Sequence, residues 1–237
     1  MVNFNIPVVN NIPHGSTCIK SVIAGFSIKG NIEVLVDPFF SGNPIAKEKA
    51  GDMNPDIIAV THGHFDHAGD AVAISRKNGA PILCSFELSE ILKKEDAQTI
   101  DINPGGTVEF RDVRISAVPA IHSSSYNGLY AGASMGYIID NGDVKIYHAG
   151  DTTYFKDMEL IGSVFRPDIA MLPIGGHYTM DIDGAVQAIN LLGVKKVIPM
   201  HYNTFPPISA NASEFKKKAE SAGAEVIIPE PGKGFRF

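Results

Sequence analysis

Short apolar runs broken by glycine, proline and asparagine dominate this chain. Val2–Val9 and Thr17–Phe26 read as two strands around a turn at Asn10–Gly15, and Ile32–Val36 as a third, closed by Asp37-Pro38. Phe39–Gly51 reads as a loop with one basic helical turn, and Ile57–Val60 as a short buried strand. Ala68–Asn78 carries helical periodicity and stops at Gly79, a residue suited to the turn after a helix. A strand at Pro81–Cys84 and a helix at Glu87–Lys94 follow. Asn103-Pro104-Gly105-Gly106 then introduces a hairpin of Thr107–Phe110 with Val113–Pro119. A second hairpin, Met135–Asp140 with Val144–His148, turns at Asn141-Gly142.

The second half alternates strand Ile169–Pro173, helix Asp183–Leu192, strand Lys196–Met200, helix Ser213–Ala222 and strand Glu225–Ile228. This order suits an α+β fold of two mixed sheets with helices outside them. At 237 residues the chain is long enough for one substantial core, so a single domain over 1–237 is expected.

Composition narrows the partners. The 26 acidic residues outnumber 20 basic ones, leaving no basic excess for nonspecific nucleic-acid or anionic-membrane binding. The N-terminus has no basic and long apolar leader, and no run reaches the roughly 18–20 apolar residues a membrane span needs. A soluble, cytoplasmic protein is expected, forming a homo-oligomer. Cys18 and Cys84 lack metal-ligand spacing and read as buried free thiols in a reducing compartment.

Candidate chemistry gathers at Thr61-His62-Gly63-His64-Phe65-Asp66-His67-Ala68-Gly69-Asp70. In extended backbone His62 and His64 point to the same side. Imidazole with carboxylate suits zinc, manganese, iron or nickel. Three more strand-like runs end on residues able to ligate metal: Ile115–Ile121 on His122, Val144–Gly150 on Asp151 and Val197–Met200 on His201. Loops at strand ends are where functional residues gather. His62, His64, Asp66, His67, His122, Asp151 and His201 exceed one tetrahedral site and suit two ions roughly 3.5–4 Å apart. Asp151, remote in sequence from the cluster, is the natural bridge.

With these motifs the chain resembles the metallo-β-lactamase superfamily, in its branch of metal-dependent hydrolases near the L-ascorbate 6-phosphate lactonases. The resemblance rests on Asp37–Pro44, Thr61–Asp70, Ile102–Thr107, His122–Ser125, Tyr147–Thr152, Pro173–Met180 and Ile198–Thr204. It implies a four-layer αββα sandwich with the metals at one edge of the two sheets. It further implies that His62, His64 and His122 hold one ion and Asp66, His67 and His201 the other, with Asp151 bridging. Two positions depart from the family pattern. Pro13-His14-Gly15-Ser16 stands where Gly-His-Ser or Gly-His-Ala is usual, and Phe65 replaces a small residue, which narrows the mouth of the site and makes it more apolar.

The function expected is a metal-dependent hydrolase using a hydroxide bridged between two divalent ions, zinc favoured, with manganese, nickel or iron as alternatives. Charge counting favours a small anionic ester, lactone or phosphodiester. Asp66 and His177 are the candidate catalytic residues, His177 either hydrogen-bonding substrate or packing in its loop. His148 reads as a core residue or one that orients a ligand, Asp37 as an orienting or turn-capping residue, and Ser123–Ser125 as plain loop or pocket lining. The alternative is an RNA-processing nuclease of the same fold, against which the acidic charge and lack of an inserted nucleic-acid-binding arm argue. Di-iron redox relatives carry a carboxylate in place of His64 and an appended flavin domain, and degenerate relatives lose ligands. Neither pattern matches.

Overall fold

The computed structural model describes residues 17–21, 26–230 and 234–236. The expected strand at Val2–Val9, its following turn and His14 lie outside the described residues. In chain order the strands of the first half are β1 (Cys18–Ser21), β2 (Phe26–Lys29), β3 (Glu33–Val36), β4 (Ile57–Ala59), β5 (Ile82–Ser85) and β6 (Thr99–Ile102). There follow β7 (Thr107–Phe110), β8 (Val113–Pro119), β9 (Ser125–Tyr126), β10 (Leu129–Tyr130), β11 (Met135–Asp140) and β12 (Lys145–His148). The last are β13 (Ile169–Pro173), β14 (Lys196–Met200), β15 (Glu225–Val226) and β16 (Gly234–Arg236). The α-helices are α1 (Phe65–Ala68), α2 (Ala71–Asn78), α3 (Phe86–Leu92), α4 (Met158–Phe165), α5 (Ile182–Leu192) and α6 (Ala212–Ser221).

Two seven-stranded sheets form, in the orders β16-β1-β2-β3-β4-β5-β6 and β15-β14-β13-β12-β11-β8-β7. Each is mixed. In the first, β1 to β3 pair antiparallel and β3 to β6 parallel. In the second, β12 to β15 are parallel while β11 runs antiparallel to both β8 and β12. Strands β8, β12, β13 and β14 therefore all end at the same edge of their sheet. Parallel neighbours need a crossover, which helices supply except between β3 and β4, joined by the loop 37–56.

Period-two alternation divides the apolar residues between layers. Val34, Val36, Ile57, Ala59 and Leu83 pack inward against the second sheet's Ile115, Ala117, Tyr137 and Ile139. The intervening Leu35, Ile58, Val60, Ile82 and Cys84 turn outward to meet Ala71 and Ile74 of α2 and Leu88 and Leu92 of α3. On the other flank Met158, Ile161, Ala185, Ile189 and Phe215 of α4, α5 and α6 cover the second sheet. The result is the expected αββα order. Both faces of the central strands are buried, which is why they read as continuous apolar runs. The buried Tyr137 hydroxyl crosses the sandwich and donates to the Val60 carbonyl at 2.8 Å, tying β11 to the segment that leads into the histidine cluster.

Several elements differ from expectation. The Thr17–Phe26 run is not one strand. Ser21 pairs with Phe26 across an antiparallel ladder, so the chain reverses inside a segment whose apolar residues look like strand. The expected helix from Ala68 is two, because α1 ends at Ala68 and α2 begins at Ala71. Four strands, β6, β9, β10 and β16, and helix α4 have no counterpart in the expected list. Helix α4 exposes Leu160 and Val164, which blurs the amphipathic pattern that would have marked it. Cys84 is buried and free, and burial pushes its thiol up to about 12. Among the described residues no helix is long and apolar enough to cross a membrane.

Helices α4 and α5 meet through Gly162, where an added Cβ would lie 2.1 Å from the Leu192 carbonyl oxygen. Backbone cannot yield as a flexible side chain can. Gly162→Ala is therefore expected to lose roughly 1–3 kcal/mol in chemical denaturation. Gly51→Ala, with nothing within 4 Å of its added Cβ, should change little.

Candidate metal centre

The centre is assembled where strands of both sheets end. Beyond β4 the chain continues through Thr61 into His62 and His64, then folds into the single turn α1 that carries Asp66 and His67. The His67 amide donates to the His64 carbonyl at 3.0 Å, which closes this turn. Four of the cluster's side chains thus leave the backbone within one short reversal.

Asp37, at the end of the adjacent parallel strand β3, holds that reversal from behind. It is fully buried. Its Oδ1 accepts the Thr61 amide at 2.7 Å, while Oδ2 accepts the Thr61 hydroxyl at 2.7 Å and lies 2.9 Å from His67 Nδ1. A carboxylate can only accept, so His67 Nδ1 carries a proton and Nε2 is the nitrogen turned toward the centre. The Thr61 oxygen, its own proton committed to Asp37, sits 3.0 Å from His62 Nδ1. It accepts from that nitrogen and leaves His62 Nε2 as the free donor atom. One buried carboxylate thereby sets two tautomers.

The second sheet delivers the remaining donors. His122 follows β8, and the amide of Ile121 just before it donates to Thr152 Oγ1 at 3.0 Å. Asp151 follows β12 across Gly150, whose φ of 63° suits glycine and whose added Cβ would lie 2.7 Å from the Met135 carbonyl. The Gly150 amide donates to His148 Nδ1 at 3.2 Å. His148 is buried, which depresses it to about 4, and this neutral imidazole braces the turn that presents Asp151. His201 follows β14 with φ of 53°.

All seven residues meet. His201 Nε2 lies 3.2 Å from Asp151 Oδ2 and 3.6 Å from Asp66 Oδ2. His122 Nε2 lies 3.6 Å from Asp151 Oδ2, and His67 Nε2 lies 3.5 Å from Asp151 Oδ1. Three donor groups each fall within 4.8 Å: His62, His64 and His122; His62, His67 and Asp151; and Asp66, His67 and His201.

The donor set fits a divalent ion on two observations. His62 Nε2 and His64 Nδ1 are 3.0 Å apart, close to the about 3.3 Å that separates two nitrogens on one tetrahedral zinc. In addition, His67 Nε2, Asp151 Oδ1 and His201 Nε2 are buried without a hydrogen-bond partner. Three facing polar atoms without partners suit a cation between them.

Electrostatics agree. Burial, helped by neighbouring imidazoles, holds His62, His64 and His122 below the usual histidine range. These rings are neutral and ready to ligate. For His67 burial acts in the same direction, yet Asp151 and Asp37 outweigh it and raise the group, so a cation at Nε2 would displace a proton there. Burial likewise opposes ionisation of Asp151, and His67 with His201 overcomes it and holds the carboxyl far below its normal range.

A model of the beta-lactamase superfamily domain matches residues 33–202, the span from β3 to just beyond His201. The chain belongs to the beta-lactamase superfamily. A UPF0173 metal-dependent hydrolase of Thermoplasma volcanium is 61% identical over 94% of this chain and 96% of its own. Another from Archaeoglobus fulgidus is 46% identical over 90% and 96%. Among solved structures, a metallo hydrolase from Ignicoccus hospitalis superposes with a TM-score of 0.86 at 39% identity, covering 94% of this chain and 98% of that one. This superfamily member is a metal-dependent hydrolase.

Beside the donors lies a cavity of about 450 Å³ lined by His64, Phe65, Asp66, His122, Ser123, Asp151, Tyr178, His201, Phe205, Pro207 and Ile208. His177 is outside that lining. It is exposed, with its ring edge-on to Tyr178 at 4.4 Å, and Tyr178 is the residue of this loop that faces the cavity. Sequence reasoning missed Thr61 as a relay. It also missed Tyr178 and Phe205 as lining, for which only their closeness to His177 and His201 gave a signal.

Asp37 is not among the residues that line this cavity yet governs two donors, so Asp37→Asn, which cannot accept all three hydrogen bonds, isolates that role. Metal affinity is expected to fall roughly 10- to 100-fold, measured by chelator competition, with the circular dichroism spectrum retained. Unchanged affinity would reduce Asp37 to a turn cap.

Proposed function

We propose that this superfamily hydrolase works with two divalent ions. His62, His64 and His122 hold one, Asp66, His67 and His201 the other, and Asp151 bridges them. The observation that carries the reading is the position of Asp151. Its two oxygens lie 3.2–3.6 Å from nitrogens of His67, His122 and His201, donors drawn from both sets. Zinc suits this imidazole and carboxylate set, as do manganese, nickel and iron.

Two such ions, when bound, supply a nucleophilic hydroxide at neutral pH and positive charge for a developing oxyanion. The chain's own residues do the rest. Asp37 and Thr61 keep His62 Nε2 and His67 Nε2 aimed inward. Asp66 and Asp151 line the cavity and offset part of the ionic charge, leaving a small positive excess that favours an anionic or easily polarised group. Substrates of this kind are small esters, lactones and phosphodiesters. In this reading His177 acts from the rim by steadying Tyr178.

Elemental analysis of protein purified without chelator should find about two ions per chain, and fewer for Asp151→Ala. One ion or fewer after incubation with excess zinc, manganese and nickel would overturn the dinuclear reading. Chelation should abolish hydrolysis across an ester, lactone and phosphodiester panel and lower the thermal midpoint, because it exposes the unpaired atoms of the centre again.

His177→Ala should keep both ions and lower kcat/KM by well under the roughly 10²–10³-fold that loss of an oxyanion donor costs. A loss of that full size would put His177 on the reacting atoms.

A further inference from the structure

The cavity beside the metal centre has two unlike walls. One carries the imidazoles and carboxylates. The other is built from Phe65, Tyr178, Phe205, Pro207 and Ile208, and no lysine or arginine appears among the described lining residues. Phe65 is 66% exposed and Tyr178 58%, a large apolar surface left in water directly beside polar donors.

That surface is held in place. Phe65 sits on α1 between His64 and Asp66, so its Cα is fixed by the same turn that fixes two of the donors. Its ring meets Phe39 edge-on at 5.6 Å and Phe205 at 6.0 Å, and those two lie 6.2 Å apart. Both supporting loops are tied down. Asp70 Oδ2 accepts the amides of Phe40 at 2.6 Å and Ser41 at 2.8 Å. The Asn203 amide donates to the Ile208 carbonyl at 2.8 Å, closing the loop that carries Phe205. Rings fixed before any ligand arrives lose little freedom when one binds.

We propose that Phe65, Phe205 and Tyr178 form a subsite for an aromatic or branched apolar group attached to the reacting ester, lactone or phosphoryl group. The inference rests on the hydrolase reading and narrows its substrate class. Charge supports it. A second anionic group on the substrate would face Asp66 and Asp151 on one side and rings on the other, with no cationic side chain to receive it. An apolar group covers exposed ring surface instead. About 450 Å³ holds a phenyl-sized group beside the reacting one.

The test uses calorimetric binding to the zinc-loaded protein, with phenylphosphonate and methylphosphonate as probes. They share the metal-seeking group and differ in the apolar part. Phenylphosphonate should bind roughly tenfold tighter or better, the effect expected from burying one ring face. Phe65→Ala and Phe205→Ala should each cut that preference while methylphosphonate affinity and zinc content stay unchanged. Equal affinities in the unmodified protein, absence of binding by both probes, or a preference surviving both substitutions would overturn the subsite. Hydrolysis is measured separately on the ester, lactone and phosphodiester panel. A phenyl preference without turnover of any substrate would defeat the hydrolase reading and leave the subsite standing, and turnover without the preference would do the reverse.

Discussion

Buried polar atoms that face one another without partners are the constraint on which the rest of this molecule depends. His67 Nε2, Asp151 Oδ1 and His201 Nε2 sit in that state. An unsatisfied buried donor or acceptor costs about 1–3 kcal/mol, so three together rival a large part of a domain's net stability of about 5–15 kcal/mol. A chain that keeps such atoms in its interior needs something to relieve them, and a divalent cation does so for nitrogen lone pairs and carboxylate oxygens alike. Everything behind the donors then serves to prevent their escape into ordinary hydrogen bonds. Asp37 takes up His67 Nδ1 and the Thr61 hydroxyl, which turns the opposite ring nitrogens of His67 and His62 inward and leaves His67 Nε2 without a hydrogen-bond partner.

Why the sandwich suits this task follows from its topology. Parallel strands β3 and β4 of one sheet, and the co-directional β8, β12 and β14 of the other, end at the edges that face each other. Donors distributed over more than a hundred residues are thereby placed on short loops rooted in a rigid core. The Tyr137 hydroxyl bonded to the Val60 carbonyl locks the two sheets together one residue before Thr61. Relative sliding of the sheets would separate Asp151 from His67, so this buried bond also guards the spacing of the centre.

Most of this could be read in the sequence, for a physical reason. Metal donors are rare residue types, and His-x-His-x-Asp-His compresses four of them into one turn that packing alone does not require. His122, Asp151 and His201 were legible because each ends an apolar run, and the structure brings all three to the cluster. The apolar wall was harder to see. Phe205 and Ile208 lie in a loop whose approach to Phe65 is a product of tertiary closure, and phenylalanine is too common in cores to announce a surface. Edge strand β6 was hidden by its mixed polarity, with Asp101 exposed beside the buried Ile102. The placement of side chains in the Gly175–Met180 loop was hidden too. His177 is the more conspicuous residue chemically, but a loop with φ of 21° at His177 turns that ring outward and presents Tyr178 to the cavity.

Backbone strain completes the account of why the donors stand where they do. Asp37 at φ 47° and His201 at φ 53° both adopt left-handed conformations directly after strands β3 and β14. For residues with a Cβ that region costs about 1–2 kcal/mol, and glycine would occupy it freely. Glycine has no carboxylate or imidazole to offer. Continuing in β conformation would carry the next side chains past the edge, whereas the left-handed residue reverses the chain at once and keeps its own side chain at the sheet end. At Gly150 the same reversal is made one residue before the donor, so Asp151 escapes the strain. The two solutions differ in which residue reverses the chain, and both leave a donor at the sheet edge. Strain tolerated at Asp37 and His201 marks positions where the identity of the side chain outweighs the comfort of the backbone, as expected where structure is arranged around a bound ion.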